Sequence, residues 1–175
     1  MLCHSETLLI NEAQDKLRES NTKIFKFGFG QSPFSPPTLA VNSLRSHVSE
    51  HDYLPVAGLN ECRNAVAKAH QDYRPNIKGD DVVIAPGSKM IIYAVMACYK
   101  NATVLLPQPS WVSYAPQASL LNHHVALVPT DFESQWKINA TSLDETCQNI
   151  ASGSPLILVL NYPNNPTGMT YTKEE

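Results

Sequence analysis

Cysteine is scarce and never paired. The four cysteines, Cys3, Cys62, Cys98 and Cys147, stand far apart with no C-x-x-C spacing, which excludes a disulfide framework and a zinc knuckle and points to a reducing compartment. Clustered basic charge is also missing. The 13 Lys and Arg are scattered among 16 Asp and Glu for a net charge of −3, so there is no electrostatic footprint for a nucleic acid or an anionic membrane, and a small molecule is the expected partner. No apolar run approaches the length needed to cross a bilayer, and Met1-Leu2-Cys3-His4-Ser5-Glu6 lacks the basic start and apolar stretch of a signal peptide. The expectation is a soluble, cytoplasmic protein in which the sequons at Asn101 and Asn139 carry no glycan. No internal repeat or low-complexity tract is visible.

What is present suits one sizeable core: 175 residues, 43% of them hydrophobic, would make two complete domains cramped. Residues 6 to about 19 read as an amphipathic helix, with Leu8, Leu9, Ala13 and Leu17 on one face. After the proline-rich connector "FGFGQSPFSPP", helices are expected near Thr38 to Val48 and from about Asn60 to Tyr73, the latter with Cys62, Ala65, Val66 and Ala69 as its buried stripe. From Asp81 onward, short apolar runs alternate with helical segments: "VVIA", Lys89 to Tyr99, "ATVLLP", a further helix, "HVALVP" and "LILVL". Strands apolar on both faces and joined by helices belong to a parallel sheet covered on both sides. The fold class is therefore α/β, with residues 1–50 as a helical and irregular arm and residues 51–175 as the sheet-containing domain.

In open parallel sheets ligands bind beyond the carboxyl ends of the strands. After "VVIA" come Pro86-Gly87-Ser88-Lys89 and a helix, which place free N–H groups, a hydroxyl and a positive helix end together, as a phosphate requires. An ordinary turn with a serine cap reads the same residues equally well, and the full G-x-x-x-x-G-K-[ST] loop is absent. After "ATVLLP" comes Trp111, whose flat face suits an aromatic ring or, more commonly, core packing. After "LILVL" comes Asn161-Tyr162-Pro163-Asn164-Asn165-Pro166-Thr167-Gly168, a rigid turn that presents Asn165. Two other patterns rank lower. His47-Val48-Ser49-Glu50-His51 matches the H-x-x-E-H of inverted zinc peptidases, but Pro55 cuts the helix almost at once and solvent-facing histidines are the favoured reading. Gly28-Phe29-Gly30-Gln31-Ser32-Pro33 opens like a dinucleotide fingerprint and fails at Pro33.

Taken in order, "FGFGQSPFSPP", "YLPVAGLNECRNAVA", "VVIAPGSKMIIYAVMA", "PQPSWVSY" and "NYPNNPTG" resemble the class I/II, or fold-type I, pyridoxal-phosphate-dependent aminotransferases. The resemblance implies a truncated large domain of that fold over residues 51–175. It assigns the phosphate of pyridoxal 5′-phosphate to the backbone of Ser88 and Lys89 and the Ser88 hydroxyl, after Gly87 lets the chain approach. It places Trp111 against the pyridine ring, Asn165 on the ring's 3-hydroxyl oxygen and the substrate carboxylate, and Gly30 on that carboxylate. Tyr53 matches a tyrosine that reaches the phosphate of the neighbouring subunit, which implies a homodimer. It implies cis peptide bonds at Gln108-Pro109 and Asn165-Pro166. Amino-acid and 2-oxo-acid substrates follow, with aspartate or an aromatic amino acid as donor.

The family's Schiff-base lysine, the aspartate that pairs with the pyridine nitrogen and the carboxylate-binding arginine lie further along than any of these motifs and have no counterpart here. Lys89 contributes backbone instead. Thr172-Lys173-Glu174-Glu175 reads as a capping box that opens a helix, so a partial sequence is the expectation. The alternatives are a pyridoxal-phosphate lyase of the same fold and a non-catalytic partner subunit.

Overall fold

The computed structural model describes residues 6–19, 22–25, 30 and 32–175. It divides into two units, residues 1–53 and 54–175. The first holds α1 (Glu6–Glu19) and α2 (Thr38–His47), where the apolar periodicity puts them. No described residue of this unit is fully buried, and Leu9 and Leu17 remain about half exposed. Helix α2 ends at His47, so His47 and His51 do not share a helix. His47 Nδ1 instead meets the Ser43 carbonyl at 2.7 Å, and no metal-holding group of three ligands occurs among the described residues. Within the connector, Phe27, Gly28, Phe29 and Gln31 lie outside the described residues.

The second unit begins with α3 (Asn60–Ala69). Of the expected stripe, Cys62, Ala65 and Ala69 are exposed and Val66 alone is partly buried. Ala67 is its buried residue, with Arg63 beside it on the inward face. The reason is the guanidinium, whose fork finds three acceptors there: the Val82 carbonyl at 2.8 Å, Asp80 at 3.0 Å and Asn60 at 3.2 Å. A charged side chain is buried only where such partners await it. The "VVIA" segment also departs from expectation. Val82 is extended, with φ −118° and ψ 134°, but the segment forms no strand. Its backbone bond runs from Ile84 N–H to the Ala57 carbonyl at 2.9 Å, because a strand exists only where a neighbour supplies a ladder.

Helix α4 (Ser88–Ala97) is followed by β1 (Thr103–Gln108), α5 (Tyr114–Leu120), β2 (His124–Pro129), α6 (Ala140–Gln148) and β3 (Leu156–Leu158). The three strands form one sheet in the order β2-β1-β3, all parallel. Thr103 lies opposite His124 on one side and Leu156 on the other. Alternation along β1 sends Val104 and Leu106 to one face, against Met96, Tyr114 and Ala118, and Leu105 to the other, with Val128 and Ile138. Both faces of the central strand are thus apolar, as the continuous run "TVLL" requires. Pro107 is tolerated because β3 pairs only with Thr103 to Leu105, so at position 107 the strand has a neighbour on one side alone. On β3 and just after it, Leu156, Leu158 and Leu160 stay 49%, 38% and 54% exposed.

Helix α6 was not separately delimited by periodicity. Its cap is Asn139, a residue the sequon pattern had singled out for another reason: Ser142 N–H donates to Asn139 Oδ1 at 2.9 Å, and Asn139 N–H meets Ser142 Oγ at 3.4 Å. The expected box at the other end of the sequence is formed, with Thr172 N–H on Glu175 Oε2 at 2.8 Å and Glu175 N–H on Thr172 Oγ1 at 3.3 Å. Glu175 also accepts from the buried Lys137 ammonium, which lies 5.8 Å from the Tyr171 ring centre. No helix among the described residues is long and apolar enough to cross a membrane.

His123 joins these pieces from the interior. Its Nδ1 accepts from Ala102 N–H at 3.2 Å, so Nε2 carries the proton and donates to the Met96 carbonyl at 2.9 Å. One ring therefore ties the last turn of α4 to the start of β1. Replacing His123→Leu keeps the apolar bulk and leaves the Ala102 amide buried and unpaired, which should cost about 1–3 kcal/mol in urea denaturation at unchanged m. A loss under about 0.5 kcal/mol would show that water satisfies the amide instead.

A pH effect follows from Glu175. The Lys137 hydrogen bond first, and the Thr172 amide second, hold its carboxyl below the ordinary 4.5. A depressed carboxylate stabilises the fold above its unfolded pKa and loses that contribution as pH falls through the folded value. The melting difference between wild type and Lys137→Ala should therefore be fullest above about pH 5 and shrink below about pH 4. A difference independent of pH would rule out the ion pair as its source.

Candidate functional site

The site forms where the carboxyl ends of β1 and β3 meet the start of α4. Gly87 ends the preceding turn at φ +90°, which an L side chain would adopt only under strain. Its N–H closes a tight turn onto the Ala85 carbonyl at 2.7 Å. Ser88 does not cap the helix. It is the first helical residue, Gly87 holds the cap position, and no side chain caps α4. Helix geometry consequently leaves the amides of Ser88, Lys89 and Met90 pointing outward without intrahelical acceptors, at the positive end of the helix dipole. A Cβ built on Gly87 meets nothing within 4 Å among the described residues, and Ser88, Lys89 and Met90 are exposed.

Trp111 follows β1. It is half-buried against the cluster of Val104, Leu106 and Tyr114, and its ring meets the Tyr114 ring edge-on, 5.2 Å between centres at 81°. The core-packing reading of this tryptophan holds, and the Lys89 ammonium sits 5.1 Å from its ring centre. This cation–π contact brings the α4 start and the Trp111 loop together.

The turn after β3 joins the same region through a residue that sequence reading passed over. Asn164, and not Asn165, is the buried member of the pair, at 5% exposure. Its Nδ2 donates to Thr167 Oγ1 at 3.0 Å and reaches the Pro109 carbonyl at 3.4 Å. Its backbone N–H donates to the Met169 carbonyl at 2.8 Å and its carbonyl accepts from Gly168 N–H at 2.7 Å. The signal was the paired asparagine between two prolines, where one amide must build the turn before the other can be presented. Asn165 is that other residue: exposed, with no side-chain hydrogen bond among the described residues. The peptide bonds Gln108-Pro109 and Asn165-Pro166 are cis as expected, and Tyr162-Pro163 is cis as well.

Behind this turn, Tyr162 donates to the Tyr171 hydroxyl at 3.2 Å, which donates in turn to the Ile138 carbonyl at 2.8 Å. Burial, and then the Tyr171 hydrogen bond, push the Tyr162 hydroxyl up to about 12, so it remains a neutral donor. On the β2 side, Thr130 Oγ1 donates to the Gln108 carbonyl at 2.6 Å. Gly87, Ser88 and Lys89 at the start of α4 and Trp111 and Asn165 on the connections after β1 and β3 thus supply outward amides, a cation, an aromatic face and an exposed carboxamide. Gly30 and Tyr53 belong to the first unit, where both are exposed and, among the described residues, no atom lies within 4 Å of a Cβ built on Gly30.

The sequence profile of aminotransferase class I and II matches residues 22–175. A probable aspartate/prephenate aminotransferase of Aquifex aeolicus is 30% identical, over 98% of this chain and 44% of its own length. The aspartate aminotransferase of Bacillus subtilis is 29% identical, over 99% of this chain and 44% of its own length. Among solved structures, an aspartate aminotransferase from Thermotoga maritima superposes with a TM-score of 0.84 at 25% identity, covering 98% of this chain and 46% of that one. The Thermus thermophilus enzyme with maleate reaches 0.87 at 23% identity, over 99% and 46%, a likeness of fold. The chain spans somewhat less than half the length of these relatives. A match that runs through every strand-end turn described above, from residue 22 to residue 175, makes this chain a member of the class I and II aminotransferase family.

Proposed function

We propose that this chain carries the amino-terminal half of a pyridoxal 5′-phosphate site in a soluble, cytoplasmic transaminase that moves an amino group from an L-amino acid to a 2-oxo acid. The observation that carries this reading is the contact of Lys89 with Trp111, which sets an uncapped helix start beside an aromatic face. The residues present fit the cofactor by their donor chemistry. The amides of Ser88 and Lys89 and the Ser88 hydroxyl bind the phosphate dianion at the helix start, where charge and geometry both favour it. Gly87 supplies the turn that opens the approach. Trp111 stacks on the ring and shields that face from water. Asn165 hydrogen-bonds the ring's 3-hydroxyl oxygen and orients the substrate carboxylate, and Gly30 meets that carboxylate through its backbone. When bound, the cofactor acts as an electron sink for the amino acid's α-carbon.

In this reading residues 1–50 are an arm and residues 51–175 an incomplete cofactor-binding domain. Tyr53 completes the phosphate site of a second subunit in a homodimer. The names of the relatives favour aspartate among amino donors. The Schiff-base lysine and the pyridine-pairing aspartate have no counterpart among residues 1–175, so the chain by itself binds without turning over.

Two tests follow. Pyridoxamine 5′-phosphate, which has no aldehyde to react with surface lysines, should bind the chain. Trp111→Ala should weaken it by about 0.5–1.5 kcal/mol of lost stacking, and Asn165→Ala by about as much for one hydrogen bond. Calorimetry showing no change in either variant would remove these residues from the site. Second, the chain mixed with pyridoxal phosphate, an amino donor and a 2-oxo acid should form no keto product. Robust turnover that vanished in Lys89→Ala would place the catalytic lysine at Lys89.

A further inference from the structure

Gln117 is buried to 8% exposure on the inner side of α5, between Tyr114 and Ala118. Its Nε2 donates to the Lys89 carbonyl in the first turn of α4 at 2.8 Å. A carbonyl only accepts, so the amide's orientation is fixed. Oε1 then points into the interior, with no donor among the described residues. A methionine or leucine would fill the same space with no orphaned acceptor, so the glutamine is kept at a cost.

The Lys89 carbonyl does not need this bond for its own satisfaction, because helix geometry already offers it the Tyr93 amide. What the bond adds is direction. The Lys89 carbonyl and the Met90 N–H belong to one planar peptide unit, so fixing the oxygen fixes the outward N–H at its other end. Donation to the oxygen also polarises that peptide, which strengthens the N–H as a donor. We propose that Gln117 is a positioning residue for the phosphate-binding turn: from inside the protein it holds the peptide unit between Lys89 and Met90, and so aims the Met90 amide, beside those of Ser88 and Lys89, at the anion without touching it.

This inference rests on the cofactor reading above, and it predicts an effect on the phosphate group alone. His123 provides the matched comparison, since it holds the opposite end of α4 through the Met96 carbonyl at 2.9 Å. Both tethers stabilise the helix; only Gln117 acts on the turn that faces the anion.

The experiment measures, by calorimetry, the affinities of the chain for pyridoxamine 5′-phosphate and for pyridoxamine. The ratio isolates the phosphate contribution. In wild type the phosphorylated form should bind about tenfold tighter or more. Gln117→Met should lower that ratio about three- to tenfold and leave pyridoxamine affinity unchanged, whereas His123→Leu should lower the melting midpoint and keep the ratio. Gln117→Ala is read the same way if the methionine variant does not fold. A wild-type ratio near one would sink the cofactor reading and this inference with it. A full wild-type ratio retained in both Gln117 variants, or lost equally in His123→Leu, would overturn the positioning role and leave the cofactor reading standing.

Discussion

The burial of β1 on both faces is the constraint on which the rest of the second unit depends. Val104 and Leu106 can leave water only against α4 and α5, and Leu105 only against α6 and its neighbours. That demand forces helical crossovers, and helical crossovers make the sheet parallel. A parallel sheet in turn delivers every strand's carboxyl end to the same side. The turns after β1 and β3 therefore meet, and the start of α4 comes to them through the same core. Residues far apart in the chain, Lys89 and Trp111 or Pro109 and Asn164 among them, come together as a consequence of where hydrocarbon is hidden.

Few polar side chains are buried inside this apolar frame among the described residues, and four of them tie one segment to another. His123 ties α4 to β1, Gln117 ties α4 to α5, Asn164 ties the turn after β3 to the end of β1, and the buried Lys137 meets the segment around Tyr171 and Glu175. Hydrophobic contact is non-directional and would leave those turns free to slide. A buried hydrogen bond is directional and costly to leave unmade. The division of labour is physical: apolar residues decide which elements pack, and buried amides, imidazole and ammonium decide how the connections between them are aimed.

Much of this was legible in the residues. Helices α1 and α2, strands β1 and β2, and the turns around Gly87, Trp111 and Asn165 stand where periodicity and punctuation put them. The misreadings share a cause. "VVIA" has the composition of a strand, but pairing is a property of two segments and composition describes one. The stripe expected on α3 follows hydrophobicity, whereas Arg63 turns inward because three acceptors lie within its reach, on residues 60, 80 and 82. Asn139 stands in a sequon that carries no expected glycan, and its short polar side chain serves as a helix cap.

By itself the sequence determined the alternation of buried strands and amphipathic helices, the glycine that permits a positive φ before α4, and the proline-framed turn after β3. These are properties of neighbouring residues, set by sterics and by the partition of side chains between water and interior. Tertiary structure alone decided which asparagine of the pair is buried and which is presented, that Lys89 lies over Trp111, and that Gln117 reaches back 28 residues to the carbonyl of Lys89. Those outcomes depend on distances between segments far apart in the chain. Such distances arise only once the core has closed around β1.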